Sequence, residues 1–362
     1  MDYSLSRRKT REIKVGSVGI GGNYPITVQS MTNTDTHDVE STYRQVRELE
    51  SAGCDIVRLA LTDTEAAKTV GCLKDRGISI PIVADIHFDY RIALAAIEAG
   101  VDKIRINPGN IGDRKNTEAV VSACLKKGLP IRIGVNSGSV EKSIIEKHGG
   151  PTAEALVESA LLHAKILEEL DFYNTVISVK ASNVPTMIKA NRLLAESCDY
   201  PIHLGVTEAG ARTRAVVKSS VGIGALLSEG IGDTVRVSLT DNPTEEIAAA
   251  REILSALMIN ANAGMDIVSC PTCGRTKIAL IDMLSDFEYR VKKEGLSDMN
   301  IKVALMGCAV NGPGEAREAD IGIAGGVGEG LLFKKGVTVR KIKEDKLVDE
   351  LIREIKLMRE EK

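Results

Sequence analysis

Three thiols and one carboxylate near the end of the chain offer the most specific chemistry. Cys270-Pro-Thr-Cys273 and Gly307-Cys308-Ala-Val-Asn311-Gly-Pro-Gly-Glu315 lie in two separate segments. Thiolate is a soft ligand and carboxylate a hard one. Iron–sulfur clusters are usually held by four Cys, and the ligands tune the cluster. A set of Cys270, Cys273, Cys308 and Glu315 leaves the carboxylate-bound iron as the site most easily opened to a substrate oxygen. Such a centre is a Lewis acid as well as an electron carrier. A lone Cys-x-x-Cys is equally a redox dithiol or half of a structural zinc site. The third Cys, and the turn Gly312-Pro-Gly314 that can return Glu315 to the same centre, favour the cluster. The thiols are expected where strands turn toward helices, so that a helix dipole favours thiolate charge.

A second constellation is cationic. Arg58, Arg105, Arg132, Lys180 and Arg236 each interrupt an apolar stretch. Side chains alternate across a strand. Arg105 therefore shares a face with Asn107, Arg132 with Asn136, Lys180 with Ser178 and Ser182, and Arg236 with Ser238. Buried charge without a partner is costly. Acids in matching positions are few, Asp85 and Glu208. A bound phosphate or diphosphate resolves the imbalance, and guanidinium suits phosphate oxygens. Any one of these residues could instead point outward to a helix carboxylate; that is a weaker account of all five. Asp85 and His87 close one strand and Glu208 closes another, where barrel residues read as catalytic. A carboxyl among cations rests ionised and can deliver a proton once substrate charge enters. Either acid could also simply neutralise an Arg. His37, His148 and His163 read as surface or helix residues without chemistry.

These residues need a frame. Short apolar strands begin near Pro25, Asp55, Pro81, Lys103, Pro130, Thr175, Pro201 and Asp233, with amphipathic helices between them. Near-continuous apolar strands alternating with helices predict a parallel sheet. Eight such units predict a (β/α)8 TIM barrel. An open doubly wound sheet is the rival, but no glycine-rich dinucleotide fingerprint follows the first strand. Gly19, Gly21 and Gly22 predict the turn of an N-terminal hairpin. Asn242, Pro243 and Glu245 start the eighth helix, with Asn242 as cap and Glu245 completing a capping box. It runs to about Met258, and Asn260 to Gly264 reads as a linker. The barrel thus spans residues 1–260. Residues 261–362 predict a small α/β cluster domain of ferredoxin or sulfite-reductase type. Its strands lie at Met265–Ser269, Lys302–Met306, around Ile321 and around Val337. Its helices follow Cys273 and close the chain from Lys346.

Composition removes other classes. The chain has 362 residues and net charge −3, so no bulk positive field points to nucleic acid. Trp is absent and aromatics are scarce, which argues against base-stacking platforms. Arg7-Arg8 precedes no apolar segment, and no apolar run is long enough to span a bilayer. The expected location is the cytoplasm. Cys54, Cys72, Cys124 and Cys198 stand singly and read as small buried hydrophobes. The absence of a Cys-x-x-x-Cys-x-x-Cys run argues against radical S-adenosylmethionine chemistry.

The motifs, taken together, resemble the 4-hydroxy-3-methylbut-2-enyl diphosphate synthase family of the non-mevalonate isoprenoid pathway. The resemblance spans nearly the whole chain: Gln29-SMTNTDT, Val83-ADIHFD, Arg105-INPGNIG, Arg132-IGVNSGS, Ser178-VKAS, His203-LGVTEAG, Gly230-IGDTVRVSLT, Ser269-CPTCGR and Met306-GCAVNGPGEA. It matches the short, two-domain bacterial form. One departure is Asn183, where the pattern has an acid. The resemblance implies a [4Fe-4S] cluster on Cys270, Cys273, Cys308 and Glu315. It implies the substrate 2-C-methyl-D-erythritol 2,4-cyclodiphosphate, with its diphosphate on Arg58, Arg105, Arg132, Lys180, Arg236 and Ser238, and Asn107, Asn136 and Ser182 nearby. It implies two-electron reductive ring opening with loss of water, electrons from ferredoxin or flavodoxin, and the substrate oxygen on the unique iron. Glu208 is then the expected proton donor.

One further expectation is geometric. The active face of a barrel is where its strands end. The eighth helix runs back roughly 25 Å at 1.5 Å per residue. A short linker there predicts a two-fold homodimer in which each cluster domain caps its partner's barrel. Two other readings remain at this stage: a pterin-synthase-like phosphate barrel with a remote electron-transfer module, and a zinc-bound interaction domain.

Overall fold

The computed structural model describes residues 6–259, 264–308 and 317–360. Contacts divide the chain into two units, Met1–Leu257 and Met258–Lys362.

The first unit opens with an antiparallel hairpin, β1 (Ile13–Val15) and β2 (Val18–Ile20). Its turn is Gly16-Ser17, not the predicted glycines. Gly16 takes φ +56, which a two-residue connection needs and glycine adopts freely. Gly19 lies within β2, and Gly21 and Gly22 lead on to the barrel.

All eight expected barrel strands form: β3 (Thr27–Met31), β4 (Ile56–Ala60), β5 (Ile82–Asp85), β6 (Lys103–Ile106), β7 (Ile131–Asn136), β8 (Thr175–Lys180), β9 (His203–Leu204) and β10 (Thr234–Val235). Between them run α1 (Val39–Ser51), α2 (Thr64–Asp75), α3 (Tyr90–Glu98), α4 (Arg114–Lys127), α5 (Lys142–His148), α6 (Ala153–Glu168), α7 (Val184–Ser197) and α8 (Arg212–Ser228). The helix α9 (Pro243–Ala256) follows the last strand. Every neighbouring pair is parallel, in the order β8-β7-β6-β5-β4-β3-β10-β9. A parallel bridge from Ile177 to Ile202 joins β8 to β9 and closes the ring. The fold of this unit is a (β/α)8 barrel.

Local chemistry fixes the helix starts. Asp38, Asp63, Asp113, Thr152 and Asn183 each accept a hydrogen bond from a backbone N–H of the first turn. Asn183 is thus the cap of α7, and an acid there would cap it as well. Asn242 caps α9 by accepting from Thr244 N at 3.0 Å. Glu245 completes no capping box; it pairs instead with Arg212 at 2.6 Å.

The second unit is a mixed five-stranded sheet with helices. β11 (Asp266–Ser269), β12 (Lys302–Met306) and β13 (Ile321–Gly325) are parallel. β14 (Glu329–Lys334) and β15 (Val337–Lys343) continue it antiparallel. The reading of the sequence missed β14, whose apolar Leu331-Leu-Phe333 is short and preceded by glycines. α10 (Leu280–Lys293) and α11 (Leu347–Glu360) bury Phe287, Val291, Leu347, Leu351 and Ile355 in one core with Val303, Leu305, Ile321 and Ile323. No helix among the described residues is long and apolar enough to cross a membrane.

Candidate active site

Alternation along the parallel strands turns a set of basic side chains into the barrel. β5 and β6 place Asp85 beside Arg105, and β6 and β7 place Arg105 beside Arg132. Arg105 Nη1 donates to Asp85 Oδ1 at 3.2 Å, and Nη2 donates to the Gly134 carbonyl at 2.7 Å. Arg58 Nε lies 3.8 Å from Asp85 Oδ2. One carboxylate therefore serves two guanidiniums. Burial alone would raise the Asp85 carboxyl; Arg58, Arg105 and Arg132 outweigh it and hold its pKa below the ordinary value. Asp85 rests ionised.

The other cations lack such partners. Arg132 is 2% exposed, and its Nε and Nη2 have no hydrogen-bond partner among the described residues. Burial, then the charges of Arg58 and Arg105, hold its pKa well below the usual arginine value. Burial, then Arg132 and Arg58, do the same to Lys180. Burial brings Arg58 down to about 10, with Asp85 opposing. Two glycines make room for the long chains. A Cβ on Gly134 would lie 2.6 Å from Arg105 Nε, and one on Gly205 would lie 2.7 Å from Lys180 Nζ. Lys103 is a further cation, fully buried on the same face as Arg105, with its amine unpartnered among the described residues. The sequence reading did not single it out, although alternation puts it on this face, two positions before Arg105.

Arg236 is held differently. Its Nε and Nη2 donate to Oε2 and Oε1 of Glu246, both at 3.1 Å. Ser30 Oγ and Leu239 N donate to the same carboxylate, at 2.8 and 3.2 Å. Glu246 is a buried acid that reached the site from α9 rather than from a strand. Its signal was an acid in the apolar stripe Pro243, Ile247, Ala250, Ile253 and Leu254.

At the strand ends, a cavity of about 360 Å³ is lined by His87, Arg105, Asn107, Asn110, Asn136 and Glu141, among others. The strand-end residues His87, Arg105, Asn107 and Asn136 thus share one space. Asn107 is fixed by accepting from Gly134 N at 2.9 Å. Burial holds His87 below the ordinary histidine range, against the pull of Asp85. Ser182 and Ser238 are half-buried in the segments after β8 and β10.

Glu208 lies beyond β9, which stops at Leu204, rather than at the strand's last residue. The segment is tied to both neighbours: Thr207 N donates to Ala181 O at 3.3 Å, and Thr240 N to Gly210 O at 3.2 Å. Glu208 is exposed and takes φ +52, a left-handed conformation that costs a residue with a Cβ about 1–2 kcal/mol. Such strain gathers at functional sites.

The thiols lie at one end of the second sheet. Cys270 follows β11, and Gly307-Cys308 follow the neighbouring β12. Gly307 N donates to Cys270 Sγ at 3.2 Å. The segment with Cys273 folds back on the same place, where Lys277 N donates to Gly307 O at 2.9 Å. α10 begins only at Leu280, not directly after Cys273 as expected. Cys273 is instead held by a local turn, its N donating to Thr276 Oγ1 at 3.2 Å. Two soft donors on adjoining strand ends, one already taking an N–H, and a third in the turn that follows, suit an iron–sulfur group in type and place. Among the described residues no three Cys, His, Asp or Glu are drawn together as a ready metal site. Asn311, the turn Gly312-Pro-Gly314 and Glu315 lie outside the described residues.

The sequence model of the GcpE TIM-barrel domain matches residues 10–251, and that of the GcpE protein C-terminal domain matches residues 266–357.

The chain belongs to the GcpE family.

The resemblance drawn from the motifs is borne out. A GcpE relative in Clostridium perfringens is 58% identical over 96% of this chain and 99% of its own. One in Ruminiclostridium cellulolyticum is 57% identical over 99% of this chain and 100% of its own. Both carry the name 4-hydroxy-3-methylbut-2-en-1-yl diphosphate synthase (flavodoxin). The type I 3-dehydroquinate dehydratase of Clostridium difficile aligns with 68% of this chain and 98% of its own, at TM-score 0.50 and 16% identity, a likeness of fold alone.

His163, read as a surface or helix residue, lies in α6 and is 1% exposed. One sequence reading of GcpE residues needs correction. Among the single cysteines Cys54 and Cys124 are buried and Cys198 is half-buried, but Cys72 is exposed. Its place on α2 follows helical spacing only approximately, and the side chain falls off the buried face of Ala66, Val70 and Leu73.

Proposed function

We propose that the barrel cations and the strand-end thiols together carry out the reaction in the relatives' name. The chain forms 4-hydroxy-3-methylbut-2-enyl diphosphate from 2-C-methyl-D-erythritol 2,4-cyclodiphosphate, as an oxidoreductase of isoprenoid biosynthesis. The ring is opened, two electrons enter, and one oxygen leaves as water.

The observation that carries the residue roles is the surplus of buried positive charge. Arg58, Lys103, Arg105, Arg132, Lys180 and Arg236 face only Asp85 and Glu246 as buried carboxylates among the described residues. A cyclic diphosphate supplies the missing negative charge. Arg58, Arg105, Arg132, Lys180 and Arg236 hold it, with Asn107, Asn136, Ser182 and Ser238 around it. Preorganised donors of this kind also stabilise charge that builds on the opened diphosphate. Asp85 keeps Arg58 and Arg105 apart and oriented, and His87 stands over Arg105 at 3.3 Å. Glu208 gives its proton to the leaving oxygen.

A [4Fe-4S] cluster on Cys270, Cys273, Cys308 and Glu315 would supply the electrons one at a time. Flavodoxin, named with the relatives, is the donor that supports best; ferredoxin is the alternative. The working form is a homodimer in which the thiol-bearing unit of one chain covers the barrel of its partner.

The test is turnover. Cluster-loaded protein, purified without oxygen, is given reduced flavodoxin and the cyclodiphosphate. Phosphorus NMR should show the cyclic resonances replaced by those of a linear diphosphate. Unchanged cyclic substrate, with the cluster intact, would sink this reading.

A further inference from the structure

Behind the cavity wall lies a histidine that the reaction described above does not use. His163 projects from α6 into the space between two rim loops. One is the turn Pro108–Asn110, directly after Asn107. The other is the segment from Ser137 to Glu141, directly after Asn136. His163 Nδ1 accepts from Gly109 N at 3.2 Å. His163 Nε2 lies 2.9 Å from Glu141 Oε1, a close contact somewhat out of line with the ring N–H. The backbone donor fixes the proton. An Nδ1 that accepts cannot carry one, so the neutral ring holds its hydrogen on Nε2, toward Glu141. Burial, against the pull of Glu141, keeps the ring below the ordinary histidine range.

Two details show that the loops are fitted to this ring. A Cβ on Gly109 would lie 2.9 Å from His163 Cε1. Glu141 precedes the first residue of α5, yet its side chain makes no cap hydrogen bond. It gives up the cap and turns to His163. Its second oxygen is buried and has no hydrogen-bond partner among the described residues. A carboxylate is left under-satisfied in order to hold a loop. Both loops line the 360 Å³ cavity, through Asn107 and Asn110 on one side and Asn136 and Glu141 on the other.

We propose that His163 and Glu141 are positioning residues: a brace from the helix layer that sets the separation of Asn107 and Asn136 across the diphosphate site. This rests on the phosphate reading of the barrel given above. His163 itself does not line the cavity. The brace fixes the width of a polar slot, and a slot that is slightly too wide loses the hydrogen bonds that its two amides would make.

Inorganic pyrophosphate is the probe, titrated calorimetrically into the full chain. His163→Ala removes both contacts and should weaken binding about tenfold, the loss of roughly one aligned hydrogen bond. His163→Gln can accept from Gly109 and donate to Glu141, and should return affinity to within about threefold of the parent. Gly109→Ala pushes the ring from the other side and should mimic His163→Ala, which covers the case where the larger deletion unfolds. In turnover, KM for the cyclodiphosphate should rise while kcat holds. Parent affinity in both His163→Ala and Gly109→Ala overturns the brace. So does a Gln variant as weak as the Ala variant, or a change in kcat alone. If the parent protein itself fails to bind pyrophosphate, the phosphate reading falls first and the brace with it.

Discussion

Gly134 both seats and makes room for Arg105. Its carbonyl accepts from Arg105 Nη2 at 2.7 Å, and a Cβ at the same residue would lie 2.6 Å from Arg105 Nε. The strand that bonds the guanidinium is thus bare where the guanidinium passes. Gly134→Ala should displace Arg105, cost about 1–3 kcal/mol of stability through overpacking, and weaken pyrophosphate at least about tenfold. Calorimetric titration beside a denaturant melt reads both. Parent affinity in a folded variant would show that Arg105 does not contact the anion.

Glu208 offers a test in which stability and activity part. Glu208→Gln should keep the fold and the pyrophosphate affinity and lose turnover by about 10²–10⁴, the range for a lost general acid. Glu208→Gly should lose turnover too, yet melt a few degrees higher, because glycine adopts φ +52 without strain. Full activity in either variant removes Glu208 from the chemistry.

Binding should draw protons from solution. Burial, then neighbouring positive charge, holds Lys180 well below its ordinary value. A bound anion favours the charged amine and raises its pKa. The complex therefore binds more protons than the free protein, and affinity falls as pH rises. Each phosphorus of the cyclodiphosphate carries a strongly acidic oxygen that does not titrate near neutrality, so the uptake belongs to the protein. Calorimetry in buffers of different ionisation enthalpy measures it. Proton release would contradict the cation-cluster account.

The Glu246–Arg236 pair should behave as a buried pair does. Glu246→Ala leaves a guanidinium without its carboxylate and should cost roughly 3–5 kcal/mol. Glu246→Leu combined with Arg236→Met should recover most of that loss in a urea melt, with pyrophosphate binding still weakened. A single variant that is nearly neutral would mean that water reaches Arg236.

The thiols should separate by reactivity. Burial raises Cys54 and Cys124 to about 12, so they stay protonated and inert. Cys72 and Cys273 are exposed. A maleimide should label Cys72 and Cys273 first in cluster-free protein. Loading the cluster should protect Cys273 and leave Cys72 reactive. Cys308→Ser should reduce bound iron to background; normal iron content there would refute the ligand set.

The strand residues were legible because period-two alternation is a strict rule: it placed Arg58, Arg105, Arg132 and Lys180 on largely apolar strands and Arg236 directly after β10. What it could not supply was whatever arrives from outside the sheet. Glu246 and His163 belong to helices, where an acid or imidazole on the buried stripe is ambiguous until its partner is known. The partner of His163 is a backbone N–H at Gly109, which no side-chain pattern encodes. The start of α10 was misplaced for a related reason. Thr276 and Lys277 hold the Cys273 segment in a turn through backbone bonds, so the helix starts only at Leu280, where the sequence's periodic apolar face also starts.

The bond from α9 to the last barrel strand segment decides where this chain can be cut. Glu246 lies beyond all eight strands, yet Arg236 depends on it. A gene truncated after Leu239 would encode the complete ring of strands and leave a guanidinium stranded inside it. Any graft of this barrel onto a foreign partner domain has its first usable junction after Ala256, where α9 ends.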